Sequence, residues 1–202
     1  MRSSFKTIEY DCGPVEIKER GSKFISFVYP VSSKEEAEGM VKDLRVEYHD
    51  ATHVCYAYVL GAGEEDYFRY NDDGEPSGTA GIPIYNEIKR LQLFNVLVAV
   101  VRYFGGTRLG TGGLARAYGQ SARLVLESAT TVEKQITRRF EFHLPFDLQG
   151  EMMSVINHLD INIVSQDYDA EGVYIELSVP LRAVEEFKNA VAEKSAGRIV
   201  LE

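Results

Sequence analysis

Two runs of eight residues, His53–Leu60 (HVCYAYVL) and Asn95–Arg102 (NVLVAVVR), are apolar at odd and even positions alike. A strand with two apolar faces must be covered on both sides, so these runs predict interior strands of a sheet held between other layers. The flanking segments have helical spacing. Ala37, Met40, Val41, Leu44 and Tyr48 form one apolar stripe, and Leu114, Ala117, Tyr118, Ser121, Leu124 and Val125 form another, both with the 3.6-residue period of a half-buried helix. Ser32 or Ser33, with Glu35 or Glu36 three residues on, offers a capping box for the first helix. Val15–Glu19 and Lys23–Val31 read as strands joined at Gly21. Gly61-Ala62-Gly63 ends the first apolar run, and Tyr67–Tyr70 reads as a short strand closed by the Asp73-Gly74 turn. A further helix is expected from Thr79, acting as its cap, to Leu91, with Pro83 tolerated in the first turn. The second apolar stripe predicts a helix over Gly112–Ser128.

From Arg138 the alternation begins again. Strand Arg138–Leu144, helix Asp147–Leu159, strands Ile161–Tyr168 and Val173–Val179, helix Leu181–Lys194 and a last strand Arg198–Leu201 give the order βαββαβ, the ferredoxin-like split unit. The expected fold class is therefore α+β. The boundary falls within Thr131–Thr137, for an N-terminal domain of residues 1–134 and a C-terminal domain of residues 135–202.

Composition excludes several classes. The 202 residues carry a formal net charge of −9, which opposes non-specific attraction to phosphates. Cys12 and Cys55 are too few for a disulfide framework and lack metal-site spacing, so both are expected to be reduced thiols. Met1–Lys6 has no signal-peptide core. The longest apolar run, Val96–Val101, has strand length, far from the ~20 residues of a membrane span. A cytoplasmic protein with no membrane partner is the expectation.

The charge is segregated along the chain. Between Glu87 and Glu127 there is no acidic residue, while Lys89, Arg90, Arg102, Arg108, Arg116 and Arg123 give that stretch +6. Upstream, Glu64, Glu65, Asp66, Asp72, Asp73 and Glu75 are offset only by Arg69, for −5. From Thr137 onward the chain holds six basic and twelve acidic residues, net −6, which leaves −3 for the first domain. A phosphate-rich partner would therefore meet the first domain. The bland alternative is that these arginines scatter and neutralise nearby carboxylates.

The basic stretch contains Arg102-Tyr-Phe-Gly-Gly-Thr-Arg-Leu-Gly-Thr-Gly-Gly-Leu114, which follows a strand and opens a helix. Gly105, Gly106, Gly110, Gly112 and Gly113 strip side chains from the turn, and amides at a helix N-terminus favour an anion. Arg102 and Arg108 bracket the turn and can grip phosphate oxygens. Thr107 and Thr111 add hydroxyls, and Arg116 and Lys23 are further candidate cations. Tyr103 and Phe104 either stack bases or pack into the core. The segment is neither a Walker A loop nor G-x-G-x-x-G with a downstream acid. Either it is an anion site, or its glycines only permit a close helix–strand crossing.

A second dense segment runs from Asn71 to Gly81. Asp72, Asp73 and Glu75 can hold Mg²⁺ or supply an acid and a base; alternatively they cap backbone amides in a turn that Pro76 closes. His53 and Cys55 share one face of a strand and are read as core rather than as a catalytic dyad. His49, His143 and His158 are isolated.

Together, Ser22-Lys23-Phe24-Ile25, Asp72-Asp73-Gly74-Glu75-Pro76 with Gly78-Thr79-Ala80-Gly81, and Val101–Gly106 with Leu109-Gly110-Thr111-Gly112-Gly113-Leu114 resemble the Impact family, in its bacterial YigZ-type branch. The resemblance implies an N-terminal domain like the second domain of a small-subunit ribosomal protein and a C-terminal domain like the last domain of elongation factor G. Eukaryotic members regulate translation under amino-acid stress by competing for a kinase activator, and they carry an additional N-terminal domain without counterpart here. For bacterial members the resemblance implies association with nucleic acid or the ribosome. Three functions follow as expectations. The first is a translation-associated regulatory or binding protein for RNA, the ribosome or another phosphate-rich ligand. The second is a Mg²⁺-dependent enzyme acting on a phosphorylated small molecule or nucleotide. The third is a protein–protein adaptor that works through the acidic C-terminal domain.

Overall fold

The structure is a computed structural model that describes residues 2–61 and 67–201. The chain divides into two compact units, one of Phe5–Lys134 and one of Arg2–Ser4 with Gln135 onward. Ala62-Gly63 and the acidic trio Glu64, Glu65 and Asp66 lie outside the described residues. No helix among the described residues is long and apolar enough to cross a membrane.

The first unit is built on a five-stranded sheet of β2 (Cys12–Glu19), β3 (Ser22–Pro30), β4 (His53–Leu60), β5 (Tyr67–Asn71) and β6 (Val96–Tyr103), in the order β2-β3-β6-β4-β5. Each neighbouring pair is antiparallel. The two doubly apolar runs are β4 and β6, adjacent at the centre. Every residue from Val96 to Val101 is fully buried, and burying each such aliphatic side chain contributes about 1.5–3 kcal/mol. One face of the sheet is covered by α1 (Lys34–Glu47), whose Ala37, Val41 and Leu44 pack on Ile25, Phe27, Val54, Tyr56 and Val101. The other face carries α2 (Gly81–Arg90) and α3 (Gly110–Ser128). A further strand, β1 (Ser4–Ile8), pairs with β7 (Thr131–Gln135) in a two-stranded ribbon.

Helix starts follow local chemistry, in two cases by a route other than the expected one. Ser33 caps α1 by accepting from the Glu36 amide, while the Glu36 carboxylate accepts from the amide and hydroxyl of Ser32 rather than from Ser33. Thr79 does not cap α2. Its hydroxyl donates to the Pro76 carbonyl, and α2 begins two residues later. Asp72 takes the capping role from a distance, with one carboxylate oxygen accepting from the amides of Ala80 (3.0 Å) and Gly81 (2.8 Å). Such a cap satisfies amides that the first turn of a helix leaves without partners.

The second unit has a three-stranded antiparallel sheet of β8 (Thr137–Pro145), β9 (Asn162–Tyr168) and β10 (Gly172–Pro180), in the order β8-β10-β9. With it pack α4 (Phe146–His158) and α5 (Val184–Lys194), the latter entered through a single 3₁₀ turn, Leu181–Ala183. Phe140, Leu144, Met152, Ile156, Ile175 and Phe187 form its core. The expected last strand, Arg198–Leu201, does not form. The Arg198 amide donates to the Ser195 carbonyl and the Ile199 amide to the Ser195 hydroxyl, while the Arg198 guanidinium reaches Asp147. The end of α5 thus captures the donors that a strand ladder with β8 would have used.

The tightest point in the first unit is a backbone crossing. The turn between β2 and β3 passes directly against the segment that leaves β6. A Cβ on Gly105 would stand 1.8 Å from the Gly21 carbonyl carbon and 2.2 Å from the Ser22 nitrogen. Gly21 has φ +84° and its own Cβ would come within 2.8 Å of the Gly105 oxygen. Gly112 differs, because a Cβ there meets nothing closer than Arg116 Nη1 at 3.8 Å. Gly105→Ala is therefore expected to destabilise the protein by roughly 3 kcal/mol or more. Gly112→Ala, inside a helix turn, should be neutral or stabilise by about 0.5–1 kcal/mol. Urea denaturation of both variants checks the contrast.

Candidate functional site

The two dense motifs meet below the surface, in the layer between the sheet and α3. Arg102 is the last residue but one of β6, and its side chain lies on the α2–α3 face with Phe24 and Tyr118. Only 4% of Arg102 is exposed. Its Nη1 donates to Glu75 Oε1 at 2.5 Å and its Nη2 to Ser22 Oγ at 3.2 Å. The same Ser22 hydroxyl accepts from the Gly105 amide at 3.2 Å. Glu75 also accepts from the Tyr118 hydroxyl at 2.7 Å. The guanidinium is flanked by the rings of Phe24 (5.4 Å) and Phe104 (5.7 Å). Arg102 Nε is buried with no hydrogen-bond partner among the described residues.

The acidic turn closes over this pair and is itself fully hydrogen-bonded. Asp72 gives one oxygen to the start of α2 and the other to the Gly78 amide at 2.8 Å. Asp73 accepts from the Val54 amide at 2.7 Å and pairs with Arg45. His53 Nδ1 donates to the Asp73 carbonyl at 2.7 Å, and its Nε2 stands 3.8 Å from Glu75. The Cys55 thiol lies within reach of the Asp72 carbonyl (3.0 Å) and the Tyr118 hydroxyl (3.3 Å). Burial pushes the Cys55 thiol and the Tyr118 phenol far above their ordinary pKa values. Neither is a ready nucleophile at neutral pH. His53 and Cys55 both serve the turn rather than each other.

The three carboxylates expected to gather around Mg²⁺ therefore point to separate partners: Asp72 to amides, Asp73 to an amide and Arg45, Glu75 to Arg102 and Tyr118. Among the described residues no three His, Cys, Asp or Glu side chains gather to hold a metal ion.

The expected anion-binding residues separate into four sets. Arg102 is consumed by Glu75, so it shapes the glycine turn from below and is not available to grip a phosphate. Lys23 pairs in register with Tyr103 and lies on the α1 face, opposite to Arg102; its ammonium sits 4.6 Å over the Tyr103 ring. The Tyr103 hydroxyl donates to Asp50, and that hydrogen bond holds its pKa up at about 12. Gly105 and Gly113 have steric duties, the first at the backbone crossing and the second against Leu109 Cβ at 3.1 Å.

Gly106, Thr107, Arg108, Gly110, Thr111, Gly112 and Arg116 form the exposed set. They surround the N-terminus of α3, a helix of 19 residues with no side-chain cap and no acidic residue in its first turn. Among the described residues Arg108 and Arg116 make no ion pair. Two further arginines of the stretch, Arg90 and Arg123, both bind Glu87. The contrast with α2 is instructive. There a carboxylate fills the positive end of the helix, whereas α3 presents its free amides and two guanidinium groups to solvent, an arrangement that attracts anions.

Sequence reasoning missed Ser22 and Tyr118. Tyr118 was visible only as one member of an apolar stripe, and nothing in a linear sequence marks its hydroxyl as the partner of Glu75. Ser22 was visible only as the first residue of the Ser22-Lys23-Phe24-Ile25 match, with nothing to mark its hydroxyl as a partner of Arg102.

Comparison with known proteins adds a second line of evidence. Residues 20–126 match the family model of the Impact N-terminal domain. The chain is 33% identical over 199 residues to the IMPACT family member YvyE of Bacillus subtilis, covering 98% of this chain and 90% of the relative. It is 32% identical over 191 residues to the IMPACT family member YigZ of Escherichia coli, covering 93% of each chain. A crystal structure described as that of a hypothetical protein aligns with a TM-score of 0.76 at 30% identity, over 100% of this chain and 97% of the other.

Removing one partner of a buried ion pair leaves an uncompensated charge and costs about 3–5 kcal/mol. Arg102→Met and Glu75→Leu are each expected to fall in that range. The double variant should be markedly more stable than the sum of the single losses implies. A double-mutant cycle in urea measures the coupling.

Proposed function

The chain belongs to the Impact family, and on that premise we propose a translation-associated binding protein that engages RNA or the ribosome through the exposed N-terminal end of α3. The observation that carries this reading is the open helix end itself. The amides of Gly110, Thr111 and Gly112 are uncapped, Arg108 and Arg116 flank them without ion pairs among the described residues, and no carboxylate stands in that turn. A phosphate group satisfies the amides and the two cations at once. Thr107 and Thr111 add hydroxyl donors.

The family resemblance supports the translational setting. The proposed likeness of the first unit to a ribosomal-protein domain, and of the second to the last domain of an elongation factor, belongs to the same reading. The order β8-β10-β9 is compatible with the second likeness. The carboxylates that the enzyme alternative requires are engaged by amides and arginines, which favours the binding reading.

An RNA-binding titration across salt concentrations tests the proposal. Binding should weaken steeply with salt as counterions are released. Arg108→Ala and Arg116→Ala should each weaken it and reduce the salt slope by about 1. Gly112→Ala, whose methyl group would sit 3.8 Å from Arg116 Nη1, should bind more weakly despite unchanged or raised stability. Absent or salt-independent binding, or arginine variants that bind like the parent, would remove this reading.

A further inference from the structure

Beside the open end of α3 lies a groove of about 570 Å³ between α2 and α3. It is lined by Asn86, Arg116, Gln120 and Arg123, with Pro83 and Gly119 also in the lining. A Cβ on Gly119 would stand 3.8 Å from Pro83, so a larger residue there would fill the space. We infer that this groove receives a single-stranded stretch of the RNA whose phosphate occupies the α3 end, with Asn86 and Gln120 reading base edges. The inference rests on the proposed phosphate site and extends it from a charge contact to a class of substrate.

Four observations support it. First, the two features are continuous. Arg116 lines the groove, and its guanidinium also comes within 3.8 Å of the place a Cβ on Gly112 would take. Second, Arg116, Gln120 and Arg123 follow one face of α3 at i, i+4 and i+7, a stripe about 10 Å long at 1.5 Å per residue. Third, the one acid in the wall is neutralised. Burial would raise the Glu87 carboxyl pKa, but hydrogen bonds from Arg123 and Arg90 outweigh burial and hold it below the ordinary value. Glu87 accepts from Arg123 at 2.9 Å and from Arg90 at 2.7 Å. It therefore orients Arg123 in the wall, while Arg90 also pairs with Glu127. Fourth, Asn86 and Gln120 are exposed, and no protein hydrogen bond occupies their carboxamides among the described residues.

The chemistry selects a single strand over a duplex. A carboxamide offers a donor and an acceptor side by side, which matches the edge of a base. In an A-form duplex side chains cannot read the deep, narrow major groove, whereas unpaired bases can be splayed into a protein cleft and laid against guanidinium planes. The groove volume lies within the ~300–1,000 Å³ of pockets that enclose small ligands. That volume suits a base with its ribose and phosphate.

Fluorescence anisotropy with the full chain tests this, using labelled single-stranded RNA homopolymers and an RNA hairpin of equal phosphate count. The double variant Asn86→Ala/Gln120→Ala should lose roughly tenfold in affinity for its preferred single strand, and the preference among homopolymers should level. Its hairpin affinity and salt slope should stay at parental values. Arg108→Ala should weaken single strand and hairpin alike. A double variant that binds single strands as the parent does, or that loses both ligands equally, overturns the groove inference and leaves the phosphate site standing. If Arg108→Ala and Arg116→Ala also have no effect on either RNA, the phosphate site falls with it. Both altered side chains are exposed, so a thermal melt matching the parent's is expected to confirm that folding is intact.

Discussion

The buried pair of Glu75 and Arg102 joins four separate segments of the first unit. Glu75 comes from the turn after β5, Arg102 from the end of β6, Ser22 from the start of β3 and Tyr118 from the middle of α3. Two charges removed from water repay their desolvation only when nearly every donor and acceptor is matched. Here Glu75 has three partners or near neighbours, and Arg102 is sandwiched between aromatic rings. This geometry brings the glycine turn against the β2–β3 hairpin and so determines where the N-terminus of α3 emerges.

The division of labour between the two motifs follows from that pair. The acidic motif faces inward: Asp72 serves amides, Asp73 serves β4 and Arg45, and Glu75 neutralises Arg102. The glycine motif is anchored at its base and free at its tip. A basic residue next to a glycine-rich turn is ambiguous in a linear sequence, since it can support the turn or meet a ligand. Burial separates the two roles, giving the first to Arg102 and the second to Arg108 and Arg116.

Much of the architecture was legible because it rests on local rules. The doubly apolar runs became the central strands β4 and β6, and the two 3.6-residue stripes became the buried faces of α1 and α3. The departures share a physical cause: in each a hydrogen-bonding partner that the linear pattern does not mark outcompeted the expected one. A capping rule looks one residue ahead of a helix, so it selected Thr79, whereas Asp72 reaches across eight and nine positions. Arg198–Leu201 has the composition of a strand, but Ser195 sits close enough to take its amides first. Arg102 ends an apolar strand, where a cation would ordinarily be wet; its counter-charge lies 27 positions away.

The contact of Gly21 with Gly105 sets a different kind of limit. Most tight packing in a protein is between side chains, and a misfit can be relieved by trimming the neighbour. Here main chain lies on main chain, so there is nothing on the opposite side to trim. No second-site replacement can make room for a methyl group at Gly105, and the two positions cannot drift together. Diversification within this unit is channelled outward, to the solvent-facing tip and the walls beside it, while the crossing beneath them stays chemically mute.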